Sequence, residues 1–223
     1  LRASNQKKVF LFDLDHTLIR GNISFLFGRY LYKKGMISIL SAYTVALFYM
    51  LYKMHFIPLS LLHRVSLRLL LYKMPKTQLK ELVQSFLDEE FEQHIREDMI
   101  QELQHLKKGG DLLLYSSSPD FLVIPIGLRL NALHSIGTNY LFDDQGLLQT
   151  VGKVVDGNQK VIYLKNYLTT MGMGMQAVAA YSDSVDDLPV LEQVGEPIAV
   201  YPEKKLEKIA RKNLWKIVKK SNA

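Results

Sequence analysis

Apolar and polar positions fall into two periods along this chain. Short apolar runs at residues 9–13 (Val-Phe-Leu-Phe-Asp), 112–115, 177–181 and 198–200 have the length of strands buried on both faces, and the first ends abruptly in carboxylates. Helical spacing follows the last three, over roughly 120–134, 159–171, 188–194 and 203–218. Strands alternating with helices predict an α/β fold with a doubly wound, Rossmann-like parallel sheet. About 95 residues separate the first strand from the second, and they read as helix throughout. A structureless loop of that length is implausible, so 22–94 is predicted to be an inserted all-helical cap between core segments 1–21 and 95–223. It should cover the C-terminal edge of the sheet, with hinges at Asn22 and just before Asp98. Residues 142–147 (Phe-Asp-Asp-Gln-Gly-Leu) predict a hairpin turn and 172–175 a loop. Trp215, Phe25, Phe27, Tyr30 and Tyr32 are expected to be packing residues.

Charge sharpens the division. Ten Lys and Arg residues but no Asp or Glu lie between His16 and Lys80, so the rest of this +6 chain, with 18 basic against 22 acidic residues, sums to −4. The basic stretch is also apolar and rich in Tyr, which suggests an anionic partner such as a membrane surface. The uncharged run 35–52 only just reaches the length of a membrane span and contains Ser38, Ser41 and Thr44. A buried helical layer, a membrane-contacting hairpin and a span all remain open. No helix-turn-helix or RNP pattern accompanies the charge, so nucleic acid is not expected as a partner. With 223 residues, 48% of them apolar, the chain can bury a full core. It has no Cys, which excludes thiolate metal sites and disulfides and leaves oxygen or His as metal ligands. No secretory signal pattern is evident, and the expected location is cytoplasmic, including the inner face of the membrane.

Four pieces should meet at the edge of such a sheet, where open α/β folds bind ligands. Asp13-Leu14-Asp15-His16-Thr17 follows the first strand, and paired carboxylates there need a cation or a proton. Ser116-Ser117-Ser118-Pro119 follows the second and opens a helix, an arrangement suited to phosphate. Lys160 lies near the start of a later helix. Ser182-Asp183-Ser184-Val185-Asp186-Asp187 offers the sparse carboxylates that Mg2+ prefers. Taken singly, the Asp-x-Asp pair reads as a solvated turn, Ser116 as a helix cap, Lys160 as a surface lysine and the acidic cluster as a helix start. Their order, each after the right element, reverses that reading.

Phe-Asp-Leu-Asp-His-Thr-Leu at 12–18, Ser116, Lys160 and Asp-Ser-Val-Asp-Asp at 183–187 resemble the four motifs of the haloacid dehalogenase-like (HAD) hydrolases. The helical insertion resembles the cap of their subfamily IB, which includes phosphoserine phosphatase-like enzymes. The resemblance implies a phosphatase in which Asp13 is the nucleophile and forms an aspartyl-phosphate, and Asp15 is first general acid and then general base. It further implies that Mg2+ is held by the Asp13 carboxylate, the Asp15 carbonyl and Asp183. Ser116 and Lys160 would bind the phosphoryl oxygens, assisted by backbone amides at Leu14, Asp15 and Ser117. Asp187 would orient Lys160 or a metal-bound water, Thr17 would brace the loop, and Ser184 supports the acidic turn. Asp186 and His16 are taken as loop residues, and His55, His63, His94, His105 and His134 as structural or surface histidines.

The sequence departs from the phosphoserine phosphatases at two places. Asn22 stands where they carry a Glu that meets the substrate amine, and Ser116-Ser117-Ser118 replaces Ser-Gly-Gly. Tyr181-Ser182-Asp183-Ser184 and the long apolar insertion look more like the phosphatidylglycerophosphatase C branch. That likeness implies a lipid or amphiphilic phosphate, with Arg64 and Arg68, one helical turn apart, meeting a second phosphate or the bilayer. A phosphoserine-like or sugar phosphate is the alternative substrate. A phosphotransferase and a catalytically idle membrane-binding protein of the same fold are the other readings kept open.

Overall fold

The computed structural model describes residues 8–219. Its centre is a parallel six-stranded sheet in the order β3-β2-β1-β6-β7-β8, with β1 at Lys8–Phe12, β2 at Gly110–Pro119, β3 at His134–Thr138, β6 at Val178–Ser182, β7 at Glu196–Val200 and β8 at Lys216–Val218. The predicted doubly wound sheet is therefore present. Alternation sorts its side chains to two faces. Phe10, Phe12, Leu112, Leu114, Ala179 and Tyr181 join one buried cluster, and Val9, Leu11, Leu113, Tyr115, Val178 and Ala180 join the other. Strand order reverses between β1 and β6, whose ends are in register at Phe12 and Tyr181, and these two rings stack with centroids 4.2 Å apart. Such a reversal opens a crevice at the C-terminal edge.

Five helices lie between β1 and β2: α1 (Ile23–Lys33), α2 (Ile39–Lys53), α3 (Leu59–Ser66, continuing into a wider π-type turn at Leu67–Leu71), α4 (Lys76–Glu89) and α5 (Glu97–Leu106). Phe27, Tyr30 and Phe86 pack α1 on α4, with ring centroids 5.4–5.5 Å apart for the pairs made with Phe86. α2 has no fully buried residue. The two crossings into this layer are held side by side: Ile19 bridges Ile95, the Arg20 amide donates to the His94 carbonyl (2.6 Å) and the Arg96 amide donates to Leu18 (2.9 Å). The layer is also tied to the antiparallel hairpin β4 (Tyr140–Phe142) and β5 (Leu148–Val151). The Lys73 amide donates to Leu148, the Leu148 amide to Met74 and the Lys76 amide to Gly146, at 2.8–3.0 Å. The predicted turn makes this hairpin, with Asp143 Oδ1 accepting from the Gln145 and Leu147 amides.

On the other side of the sheet lie α7 (Gly157–Thr170), α8 (Leu188–Leu191) and α9 (Lys204–Lys212), while α6 (Asp120–Arg129) packs with the α1–α4 layer. Three predicted helices are too long, α8 stopping at Leu191 rather than near 194. Asn131 and Leu214 adopt left-handed backbone (φ +54° and +55°), which ends α6 and α9 early and frees 134–138 and 216–218 to pair as β3 and β8. Phe25 and Tyr32 were expected to pack, yet both are exposed, because they face away from the buried stripe formed by Ile23, Leu26, Phe27, Tyr30 and Leu31.

Candidate active site

Asp13 leaves β1 one residue beyond the register pair Phe12–Tyr181, and its amide donates to the Tyr181 carbonyl (2.9 Å). Lys160, in the first turn of α7, reaches back to it with Nζ 2.7 Å from Asp13 Oδ1 and 2.8 Å from Asp187 Oδ1. Asp156 caps that helix by accepting from the Gln159 amide (2.8 Å). Gly157 lets α7 approach the acidic turn, since a Cβ there would lie 2.1 Å from the Asp186 carbonyl oxygen. Ser182 Oγ donates to Asp187 Oδ2 (2.7 Å), so Asp187 is fixed from two sides. An ion pair this buried persists only when its remaining hydrogen-bonding positions are filled.

Asp15 is held differently. Its Oδ1 accepts from the Ile23 amide at the start of α1 (2.6 Å), and its Oδ2 accepts from Ser118 Oγ (2.6 Å) and, more distantly, Ser116 Oγ (3.4 Å). Ser116 Oγ in turn accepts from the Ser118 amide (3.1 Å). Because β2 continues to Pro119, strand alternation puts Ser116 and Ser118 on one face and Ser117 on the other. Ser118 is therefore a site residue that the sequence reading missed, although the period-two rule could have found it. The Ser117 carbonyl accepts from Thr138 Oγ1 (2.7 Å), which fixes the loop from behind.

Burial pushes the Asp13 carboxyl well above the usual carboxylate range, and neighbouring carboxylates add to the shift against the opposing pull of Lys160. Asp15 is raised by burial, opposed by its bonds from Ser118 and Ile23. Asp183 is pushed up to about 7 by burial and by the negative charges of Asp187 and Asp15. Burial alone would lower the Lys160 ammonium, but Asp13 and Asp187 outweigh it and hold the lysine charged. The floor thus carries more negative charge than one lysine offsets, and its unfilled donors are all oxygens. That chemistry fits a hard divalent cation. Among the described residues no three His, Asp or Glu side chains form a ready-made metal cluster, and a set of two carboxylates with one main-chain carbonyl needs none.

Above this floor lies a chamber of about 290 Å3, lined on one side by Asp13, Asp15, Ser118 and Lys160 and on the other by the helical layer. Ala42, Val45, Ala46, Tyr49 and Tyr52 of α2 form part of its roof, with His63 from α3 and Tyr140 from the hairpin. Tyr52 donates its hydroxyl to Asp186 Oδ2 (2.8 Å), giving Asp186 a link across the chamber mouth in addition to its loop position.

The remaining predicted residues divide. Thr17, wholly buried, directs its hydroxyl at Asp183 (3.4 Å), and Ser184 Oγ accepts from the Asp186 amide (3.2 Å). His16 sits at a left-handed turn, φ +57°. Asn22 lines the chamber, but its side chain accepts from the Phe25 amide (3.0 Å) as the α1 cap. Arg64 and Arg68 do not line it. Leu62, His63 and Ser66 take the inward face, which leaves Arg64 on the Ser60 carbonyl (3.2 Å) and Arg68 stacked 3.9 Å from the Tyr72 ring centre, both exposed. His63, expected to be merely structural, is buried and faces the chamber.

A strand-end carboxylate pair, a buried lysine and an acidic turn thus meet at one edge of an α/β sheet. Residues 10–192 match the family model of the haloacid dehalogenase-like hydrolases, and the chain belongs to that family. A histidinol-phosphatase of Neisseria meningitidis serogroup C (strain 8013) is 29% identical over 95% of this chain and 98% of its own. A crystal structure of a protein of unknown function from Bordetella pertussis Tohama I superposes with a TM-score of 0.85 at 24% identity, over 96% and 98% of the two chains. A phosphoserine phosphatase structure, described as a phospho-aspartyl intermediate analogue, gives 0.72 at 19% identity over 96% and 94%. This chain is thus a hydrolase of that family, with the fold of the phosphoserine phosphatase structures.

Proposed function

We propose that the chain is a Mg2+-dependent phosphomonoesterase of subfamily IB that works through an aspartyl-phosphate and receives a small leaving group in its apolar chamber. The observation that carries this reading is the pit in which Asp13, Lys160 and Asp15 meet, with Asp13 Oδ1 2.7 Å from Lys160 and Asp15 held by Ser118 and, among the described residues, in no ion pair. Asp13 attacks phosphorus, an Asp13 oxygen–phosphorus bond forms and the ester oxygen–phosphorus bond breaks. Asp15, whose raised pKa lets it carry a proton, gives that proton to the departing oxygen. It then takes one from water, which attacks the phosphoenzyme, releases phosphate and restores Asp13. Lys160, Ser116 and the loop amides bind the phosphoryl oxygens, and Asp187 positions Lys160. The Asp13 and Asp183 carboxylates and the Asp15 carbonyl would hold Mg2+, which supplies charge neutralisation so that a carboxylate can approach an anionic ester.

Residues 22–94 act in this reading as the cap and 1–21 with 95–223 as the core, of which 1–7 and 220–223 lie outside the described residues. The chamber volume is at the lower end of the roughly 300–1,000 Å3 common for small-molecule sites, and its walls are mainly apolar. A compact leaving group fits this space better than acyl chains, and the end-to-end similarity to a histidinol-phosphatase supports the same class. Among the described residues no acid of the helical layer lines the chamber, so a substrate amine meets carboxylates only at the floor and at Asp186 by the mouth.

A second reading, an amphiphilic phosphate taken at an anionic lipid surface, is favoured by one observation. Leu40, Tyr43, Leu47, Met50 and Met54 form a continuous exposed stripe on α2, in a stretch without a single acidic residue. Among the described residues no helix is long and apolar enough to cross a membrane, so such an association would be peripheral.

The test is phosphate release from histidinol phosphate, phosphoserine, sugar phosphates, phosphatidylglycerophosphate and lysophosphatidic acid, with Mg2+ or EDTA. The expected result is Mg2+-dependent release, largest for a small ester, and a hydroxylamine-sensitive label on wild type that is absent from Asp13→Asn. Largest release from a lipid, together with pelleting on anionic vesicles, would establish the second reading instead.

A further inference from the structure

His63 is only 7% exposed, and among the described residues its Nε2 has no hydrogen-bond partner. A buried polar atom left unpaired is costly and uncommon enough to require an explanation. The ring lines the same chamber as Asp15, Ser118 and Lys160. Its other nitrogen is committed, because Nδ1 lies 3.0 Å from the Tyr140 hydroxyl. Tyr140 is itself buried, also lines the chamber, and sits on the hairpin strand that follows β3, so it is anchored in the core while His63 comes from the helical layer. A tyrosine hydroxyl that donates to Nδ1 places the single imidazole proton on Nε2. The alternative acceptor for that hydroxyl, the His63 carbonyl, is more distant at 3.4 Å.

Resting on the phosphatase reading, we propose that His63 is a specificity residue whose Nε2–H donates to a hydrogen-bond acceptor on the leaving group, an unprotonated ring nitrogen or a hydroxyl oxygen, with Tyr140 as its positioning residue. Burial pushes its pKa down to about 4 against the opposing pull of the Ser117 backbone, which lies outside hydrogen-bonding geometry with Nε2, so this imidazole is neutral and adds a directional donor to the chamber without repelling a cationic substrate. The rest of the roof explains why one such group matters. Val45, Ala46, Leu59, Leu62 and Leu70 enclose the leaving group without discriminating among apolar shapes of similar size. A buried donor fixed among them separates substrates that can pair with it from those that leave it unpaired. No carboxylate is needed for this, which accords with Asn22 acting as a helix cap.

The experiment uses the full chain with Mg2+ and three esters: 2-(imidazol-4-yl)ethyl phosphate, glycerol 1-phosphate and 2-phenylethyl phosphate, which offers no acceptor on its leaving group. Wild type should favour at least one of the first two over the third by on the order of tenfold in kcat/KM, with the difference in KM. His63→Leu should remove that preference through KM, and His63→Gln, whose amide reaches the position of Nε2, should restore most of it. Should His63→Leu fail to fold, Tyr140→Phe carries the same test, since loss of the positioning hydroxyl should cut the preference several-fold. A wild type without the preference, or a preference that survives His63→Leu or Tyr140→Phe, overturns the proposal. Equal losses on all three esters also overturn it, because they indicate a structural role. Absence of turnover on every ester would instead remove the phosphatase reading on which it rests.

Discussion

On the floor of the chamber, Asp13, Lys160 and Asp187 are locked together at distances under 3 Å, and Asp15 is gripped by a helix amide and a serine. On its roof, α2 has no fully buried residue and presents Ala, Val and Tyr inward and Leu, Met and Tyr outward. The two surfaces face one substrate but obey different constraints. Charge in a low-dielectric site works only in one geometry, so Lys160, Asp187 and Asp15 are each fixed by at least two bonds. Apolar walls need only shape and volume, which many sequences supply. The floor therefore determines the reaction, and the roof determines which molecules reach it.

Substitutions should separate these roles, and the largest effect is expected at the floor. Asp13→Asn should lower kcat by about three or more orders of magnitude on every substrate while the protein stays folded, as read by stopped assays beside a melting curve. Lys160→Met leaves Asp13 and Asp187 facing each other unpaired, and should cost about 3–5 kcal/mol in urea unfolding besides its activity. If Lys160→Met unfolds no more readily than wild type, the two buried ion pairs do not hold the floor together.

At the roof, Ala46→Trp should raise KM by about tenfold for the bulkiest good substrate, with little change in kcat for the smallest one. An equal change for both would mean that α2 contributes to the chemistry itself. His63 connects the two regions through stability. Its folded pKa of about 4 lies below the ordinary 6.5, so above pH 6.5 it is neutral in both states and has no effect. As pH falls below 6.5 the unfolded chain takes up a proton that the folded one refuses, and stability drops until about pH 4. Between pH 6.5 and 5 this amounts to about 2 kcal/mol, and His63→Gln should flatten that limb of a urea-midpoint profile. The smallest effect is expected outside the roof. Leu47→Gln should alter stability by no more than about 0.5 kcal/mol and leave small-ester turnover intact, so any loss of vesicle pelleting would report the stripe alone.

The floor was legible in the sequence because its chemistry depends on residue types that are conspicuous at strand ends. Asp13, Asp15, Ser116 and Asp183 could be placed at one sheet edge from the apolar runs that precede them, and Lys160 from its place in the order of the motifs. The sheet itself followed from those runs, apart from β3 and β8. Each of these is short, and each was concealed by an adjoining helical period that left-handed residues interrupt. The roof was not legible, for a physical reason. An amphipathic period on α3 says that one face is inward, but not which inward face meets a cavity rather than a core. Arg64 and Arg68 were assigned to substrate by charge, whereas helix phase turned them out and turned His63 in. The partner of His63 lies 77 residues away on a hairpin, a pairing that no local pattern encodes.

The three backbone bonds that join residues 73–76 to the 146–148 segment have a consequence for anyone who would trim this enzyme to its core. Leu148 is wholly buried, and its own amide and carbonyl are spent on Lys73 and Met74 rather than on another strand of the sheet. Excision of the helical layer would uncover an apolar strand with unsatisfied edge groups, the template on which chains add to one another. A minimal version would therefore aggregate before it failed as a catalyst, unless the hairpin were removed with the helices or its open edge blocked by a charge or a proline.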